Sequence, residues 1–159
     1  MRQPIKNNKN KKYNSIVTKK SAKQKKHPKY GTSKLEDYFS KEFLDKLGVE
    51  YEYQFEAKDI GRFYDFFIPK SRLIIEVDGD FWHGNPEKYT DDKLRGHQKH
   101  ARRVDEYKDK WALIHSIPIL RIWESDIRKN PKKVMEMLKE RLRIQDEKIR
   151  LDEDKRKRH

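Results

Sequence analysis

The spacing of apolar side chains predicts helices and strands between residues 32 and 142. Leu35, Phe39, Phe43, Leu44 and Leu47 recur at helical intervals, Thr32 or Ser33 can cap them, and Glu36 lies three residues after Ser33 as in a capping box. Gly48 stops this helix. From Val49 to Ala57 the positions Val49, Tyr51, Tyr53 and Phe55 alternate with Glu50, Glu52, Gln54 and Glu56, the period of a half-buried strand. Asp59-Ile60-Gly61 reads as a turn, Arg62 to Ile68 as a second strand and Arg72 to Asp78 as a third. The run Leu73, Ile74, Ile75 and Val77 suits a strand near the centre of a sheet. Gly79 ends it, and a polar looped segment with Gly84, Asn85, Pro86 and Gly96 follows. His97 to His115 reads as a helix, Ile117 to Trp123 as a fourth strand, and Pro131 opens a last helix at a favoured first-turn position. Val134, Leu138 and Leu142 form its stripe, which weakens beyond Leu142. The order α-β-β-β-α-β-α predicts an α/β (α+β) fold, a mixed β-sheet flanked by helices, over residues 32–142.

Charge divides the chain differently. Residues 1–34 hold twelve of the 40 Lys and Arg residues and no Asp or Glu; the other 125 residues are nearly neutral. A segment so poor in apolar residues is expected to be a disordered basic arm over 1–31, with Lys19, Lys20, Lys25 and Lys26 available to a phosphate backbone. A solubilising tail or a localisation signal is the plainer reading of the same arm. Residues 143–159 are dense in charge of both signs and read as a helical extension that frays into a tail. The absence of cysteine excludes disulfides, a thiol nucleophile and thiolate zinc. No apolar run is long enough to span a bilayer and no apolar stretch follows the basic N-terminus, so a cytoplasmic, non-secreted protein is expected.

The chemical signal lies in the third strand. Glu76 and Asp78 are two apart and project from one face, and a hairpin brings Asp65 of the second strand to the same end of the sheet. Three ionised carboxylates repel one another; hard oxygen ligands of this kind favour Mg²⁺ or Mn²⁺. Pairing of Glu76 and Asp78 with lysines of the nearby helix explains them equally well. His83 is placed to take a proton from a water near neutral pH. Phe81 and Trp82 are either caps of the core or aromatics that stack on bases.

Tyr64-Asp65-Phe66-Phe67-Ile68 followed by Leu73 to His83, LIIEVDGDFWH, resembles the very short patch repair endonucleases and the related phage homing endonucleases. Both belong to the PD-(D/E)xK, restriction-endonuclease-like superfamily. Ser33-Lys34-Leu35-Glu36 resembles the first helix with its glutamate, Arg103 to Trp111 the basic helix, and Ile119 to Glu124 the last core strand. The resemblance covers residues 32–140. It implies a restriction-endonuclease-like core and a Mg²⁺-dependent DNA endonuclease of nicking or homing type. It further implies Asp65 as main metal ligand, His83 as general base, Glu36 as helper, Phe81 and Trp82 as aromatics inserted into DNA, and Val77 as a ligand through its backbone carbonyl. The sequence departs from the family in three ways. Asp78 stands where the repair enzymes have a second histidine, Glu76-Val77-Asp78 lacks the E-x-K lysine, and no cysteines are present for a structural zinc.

The remaining candidates carry two readings each. Lys99, Arg102 and Arg103, with Lys93 and Arg95, either line a DNA groove or make a solvated helix face. Lys108 or Lys110 can replace the missing lysine. Gln54 either touches the site or is a hydrogen-bonded edge residue. The leading expectation is a DNA endonuclease in which Asp65, with Glu76 or Asp78, holds the metal, with the oligomeric state open and a homodimer one route to double-strand breaks. The alternatives are a non-catalytic DNA- or RNA-binding module on a degenerate nuclease fold and a basic structural protein of a ribosome or virion.

Overall fold

The computed structural model describes residues 33–158. The basic arm, with Lys19, Lys20, Lys25 and Lys26, lies outside the described residues. The described chain is a mixed α/β fold built on one four-stranded sheet.

Ser33 caps helix α1 (Lys34–Phe39) by accepting the Glu36 amide at 3.2 Å. The helix runs on through a π-helical stretch (Ser40–Leu44) into α2 (Asp45–Leu47), which turns Phe39, Phe43 and Leu44 together into the core. Gly48 terminates it at φ +65°, a left-handed conformation that favours glycine. Strands β1 (Glu52–Ala57), β2 (Arg62–Ile68) and β3 (Leu73–Asp78) then pair antiparallel in sequence order. A crossover follows, made of a short helix α3 (Asp80–His83), a 3₁₀ turn (Asp91–Lys93) and the long helix α4 (Gly96–Ile114). It returns the chain to β4 (Ile119–Trp123), which therefore lies parallel to β3. Helices α5 (Glu124–Lys129) and α6 (Pro131–Lys157) close the chain.

Helices cover both faces of the sheet. On one, Phe66, Ile68, Leu73, Ile75, Val77, Leu120 and Ile122 pack with Phe39 and Phe43 and with Val134, Leu138 and Leu142 of α6. On the other, Phe55 stacks on Phe67 at 4.7 Å, and Trp111 of α4 lies 5.7 Å from Tyr64. All six residues of β3 are buried, as its apolar run predicts.

Two local expectations are corrected. The alternation of β1 breaks at Gln54: Tyr53 packs on Phe66 (5.5 Å), while Phe55, two residues on, packs on Trp111 (6.5 Å). Its partner strand breaks at the same level, with Tyr64 beside Trp111 and Phe66 beside Phe39 (5.7 Å). The cause is Gln54 itself, at φ +53°, a conformation that costs an L-residue about 1–2 kcal/mol. Second, Asp80 to His83 are helical rather than looped. The buried Asp80 carboxylate ties this turn down by accepting from Asn85 Nδ2 (2.7 Å), Ser125 Oγ (3.0 Å) and Lys88 Nζ (2.6 Å). Burial opposes ionisation of Asp80, but these donors outweigh it and hold its pKa below the usual carboxylate value. The helical extension expected beyond Leu142 is continuous with α6, which runs to Lys157. Gln145 is still buried, Ser71 Oγ donates to Asp146 at 2.5 Å, and Arg143 bridges Glu140 (2.8 Å) and Glu147 (3.1 Å). Among the described residues no helix is long and apolar enough to cross a membrane.

Candidate active site

The sheet opens where β2 meets β3. Their backbone pairing runs from Ile68↔Leu73 to Phe66↔Ile75, and beyond it side chains replace the ladder. The Asp65 amide donates to Glu76 Oε2 (3.1 Å), and the Val77 amide donates to Asp65 Oδ2 (2.7 Å). Two acids are thereby drawn in between the strands. Glu36 joins them from α1, its Oε2 accepting the Tyr53 hydroxyl proton at 2.6 Å. Among the described residues the cation in contact with this group is Lys108 of α4, whose Nζ contacts Glu76 Oε1 and lies 4.7 Å from the centre of the Tyr64 ring.

Electrostatics mark the group as short of positive charge. Asp65 keeps some accessible surface, yet the protein around it pushes its pKa well above the carboxylate value. Burial is the largest cause, followed by the charges of Glu76 and Glu36, which Lys108 and the Val77 amide only partly offset. Glu36 is also raised by burial, with the hydroxyls of Tyr53 and Ser33 pulling the other way.

A second ionic cluster flanks the first. Asp78 does not converge with Asp65, as the strand pattern suggested. Its carboxylate accepts from Arg121 Nη1 at 3.0 Å and lies 3.7 Å from His83 Nδ1. Burial raises the Asp78 pKa, opposed by Arg121 and His83. The cause of the rearrangement is Arg121 on β4, which pairs in register with Glu76 and spans Asp78, Asp105 (3.6 Å) and Asp109 (2.8 Å). His83 Nδ1 is 2.9 Å from Asp105 Oδ2, an arrangement in which Nδ1–H donates and Nε2 keeps the lone pair. Burial disfavours the imidazolium, but the Asp105 hydrogen bond and the Asp78 charge outweigh it and leave the His83 pKa above its ordinary value. For Asp105 burial raises the pKa, and the His83 hydrogen bond with Arg121 brings it below the usual value.

The aromatics leave the core. Trp82 is 66% exposed, and with Phe81 and His97 it forms a surface cluster over which Arg95 lies 5.4 Å from the Phe81 ring. The buried Gln98 holds this turn by donating to the Phe81 carbonyl at 2.6 Å. Lys99 and Arg103 are exposed on α4, whereas Arg102 is not a free phosphate contact. Its guanidinium donates to Asp91 Oδ1 (2.5 Å) and the Gly84 carbonyl (2.6 Å), latching the segment between α3 and α4. Lys110 is exposed, so of the two lysines considered only Lys108 reaches the acids.

Sequence reasoning passed over Tyr53, Asp105, Arg121 and Gln98. Asp105, Lys108 and Ala112 fall at i, i+3 and i+7, so helical spacing alone puts a charged pair on the core stripe of α4. Among the described residues no three Asp, Glu, His or Cys side chains form a ready ion cage. Val77 engages the group through its amide, which donates to Asp65. The donor set still fits a hard cation. It is all carboxylate oxygen, and among the described residues it outnumbers the cations in contact with it and Asp65 Oδ1 accepts no hydrogen bond. No family model matches the chain, and no curated protein or solved structure matches it.

Proposed function

We propose that the chain is a Mg²⁺- or Mn²⁺-dependent DNA endonuclease on a restriction-endonuclease-like core, a nicking or homing-type enzyme. The observation that carries this reading is the grouping of Glu36, Asp65 and Glu76, with burial and the charge of Glu76 raising the pKa of both other acids and Lys108 in contact with Glu76. A protein gains nothing in stability from such an excess of buried negative charge, and a divalent cation relieves it. Asp65 and Glu76 are the residues that would hold the ion, with Glu36 beside them. A bound divalent cation supplies Lewis-acid polarisation of the scissile phosphate and neutralises the charge that develops on it.

The chain's own groups do the rest. Asp105 fixes the His83 ring through Nδ1, so Nε2 is the atom that accepts the proton of the attacking water. Asp78 and Arg121 hold that pair in place and are not ligands in this reading. The Lys108 ammonium stands where it can offset charge on the phosphate as well as on Glu76. Trp82 and Phe81, with Lys99 and Arg103, present rings and cations to a nucleic acid. One such centre nicks one strand; double-strand cleavage requires a second copy.

Supercoiled plasmid with Mg²⁺ or Mn²⁺ tests the reading. The parent chain nicks it, EDTA stops the reaction, and Asp65→Ala and His83→Ala each lose at least about 10²-fold, the usual size of a general-base contribution. Equal cutting by both variants sinks the assignment. A non-catalytic nucleic-acid-binding module is the second reading. It is favoured by the fact that Glu76 and Asp78 are already paired with Lys108 and Arg121. It predicts metal-independent binding and no cleavage of intact, mismatched, branched or single-stranded DNA.

A further inference from the structure

We propose that Gln54 is a positioning residue for Glu36, acting through the Tyr53 hydroxyl, and that its left-handed backbone is what makes this relay possible. Its bearing on hydrolysis rests on the nuclease reading; the relay itself does not.

In a regular strand, consecutive side chains point to opposite faces, so residues 53 and 54 do not meet. At φ +53° they do: Gln54 Nε2 donates to the Tyr53 hydroxyl at 3.3 Å. The hydroxyl keeps its own proton for Glu36 Oε2 at 2.6 Å. Amide, hydroxyl and carboxylate thus form one polarised chain that ends in the acidic group. Among the described residues three non-glycine residues have positive φ: Gln54, Arg72 and Ser116. Arg72 lies in the β2–β3 turn and Ser116 in the connection from α4 to β4, where a left-handed residue reverses the chain. Gln54 alone lies inside a strand. It does so at the level of Asp65, between the register pairs Tyr53↔Phe66 and Phe55↔Tyr64. Strain kept inside a strand beside a candidate site is the pattern expected where a side chain has to be aimed.

The backbone and the amide can be separated. Gln54→Gly adopts the same φ without strain and removes the amide. Gln54→Asn tolerates the same backbone with a side chain one methylene shorter. Tyr53→Phe leaves the backbone untouched and removes the hydroxyl. The full chain carries each substitution. Three quantities are measured: the urea midpoint, the order of the Glu36 side chain by carbon relaxation without metal, and Mn²⁺ affinity by calorimetry.

The Gln54→Gly midpoint is expected at or above that of the parent. Glu36 is expected to be ordered in the parent and mobile in all three variants. The Mn²⁺ dissociation constant is expected to rise about tenfold, the low end for a residue that orients a ligand. A Glu36 as well ordered in Gln54→Gly as in the parent overturns the proposal. Should Gln54→Gly fail to fold, Tyr53→Phe decides: retained Glu36 order overturns the relay and lost order supports it. A parent chain that binds no Mn²⁺ sinks the nuclease reading and leaves Glu36 order to decide the relay alone.

Discussion

Glu76 and Asp78 are neighbours on one face of one strand, 2% and 3% exposed, and they live in opposite electrostatic settings. Around Glu76 stand two further acids and one lysine, and burial with mutual repulsion drives the Asp65 pKa up. Around Asp78 stand Arg121 and His83, and there the carboxylate of Asp105 is pulled down. The strand supplies the same chemical group twice; what differs is the partner. α4 brings a single ammonium to Glu76, while β4 brings Arg121, whose five donors serve several acids at once. Among the described residues each cluster sets three carboxylates against one permanent cation. Arg121 pairs directly with three acids and His83 adds a second basic group, whereas Lys108 contacts Glu76 alone among the described acids. In the proposed reading the ion belongs to the Asp65 side and the proton transfer to the His83 side.

Removing the cation from each cluster is the strongest way to break this contrast. Lys108→Met leaves Glu76 buried without its ammonium partner and should cost about 3–5 kcal/mol in urea unfolding with EDTA present. Arg121→Met should cost a similar amount. Mn²⁺ separates them: a ligand at 100 times its Kd adds about 2.7 kcal/mol, and the gain should be larger in Lys108→Met than in the parent or in Arg121→Met. Equal gains in all three chains would erase the distinction between the clusters.

Asp65→Asn sharpens the contrast from the acid side. Asp65 has a folded-state pKa above its ordinary value, so ionisation favours the unfolded chain. The stability linked to its proton is complete below the unfolded value and is lost as pH rises through the folded one. At pH 7 the Asp65→Asn chain should therefore be more stable than the parent by about 1–2 kcal/mol, the usual gain from relaxing a destabilised site. The advantage should vanish as the pH is lowered past the ordinary carboxylate range, and metal-dependent cleavage should be lost throughout. A less stable Asp65→Asn at pH 7 would show that the carboxylate is already neutralised.

Why the acids were legible and their partners were not follows from what each leaves in the sequence. Arg62 to Ile68 and Leu73 to Asp78 stand where their apolar runs put them, and an acid inside such a run is conspicuous. Gln54 left no trace, because a change in the sign of φ does not alter the order of polar and apolar letters; Tyr53 and Phe55 still read as one face. Arg121 sits between the buried Leu120 and Ile122 of β4, and nothing in that apolar pattern marks the acids it meets. Arg102 reads as a phosphate contact only until the backbone carbonyl it binds, 18 residues away, is in place.

The pH dependence of cleavage examines the His83 cluster. His83 is raised above its ordinary value, so a reaction that needs neutral Nε2 should gain rate with pH through an ionisation above that value. Asp105→Asn removes the hydrogen bond that raises it, and the rising limb should move to lower pH. Stability behaves as the mirror image. The His83–Asp105 pairing contributes fully below the unfolded histidine pKa and is lost as pH rises through the folded one, so Asp105→Asn should flatten the stability profile across that window. An unmoved rate limb in Asp105→Asn would place the proton acceptor elsewhere.

The smallest change in stability is expected at the exposed rings of the turn that carries His83. Trp82 is mostly exposed, so Trp82→Ala should alter unfolding by no more than about 0.5 kcal/mol. Loss of the ring should nonetheless weaken binding of DNA by about 1–3 kcal/mol if a base stacks on it. Gln98→Ala is the informative companion. It leaves both rings in the chain but frees the Phe81 carbonyl from its buried donor, so it should destabilise the fold more than Trp82→Ala and reduce DNA binding only through misplacement of the rings. Binding that survives Trp82→Ala unchanged would return this exposed cluster to the surface and leave DNA contact to the cations of α4.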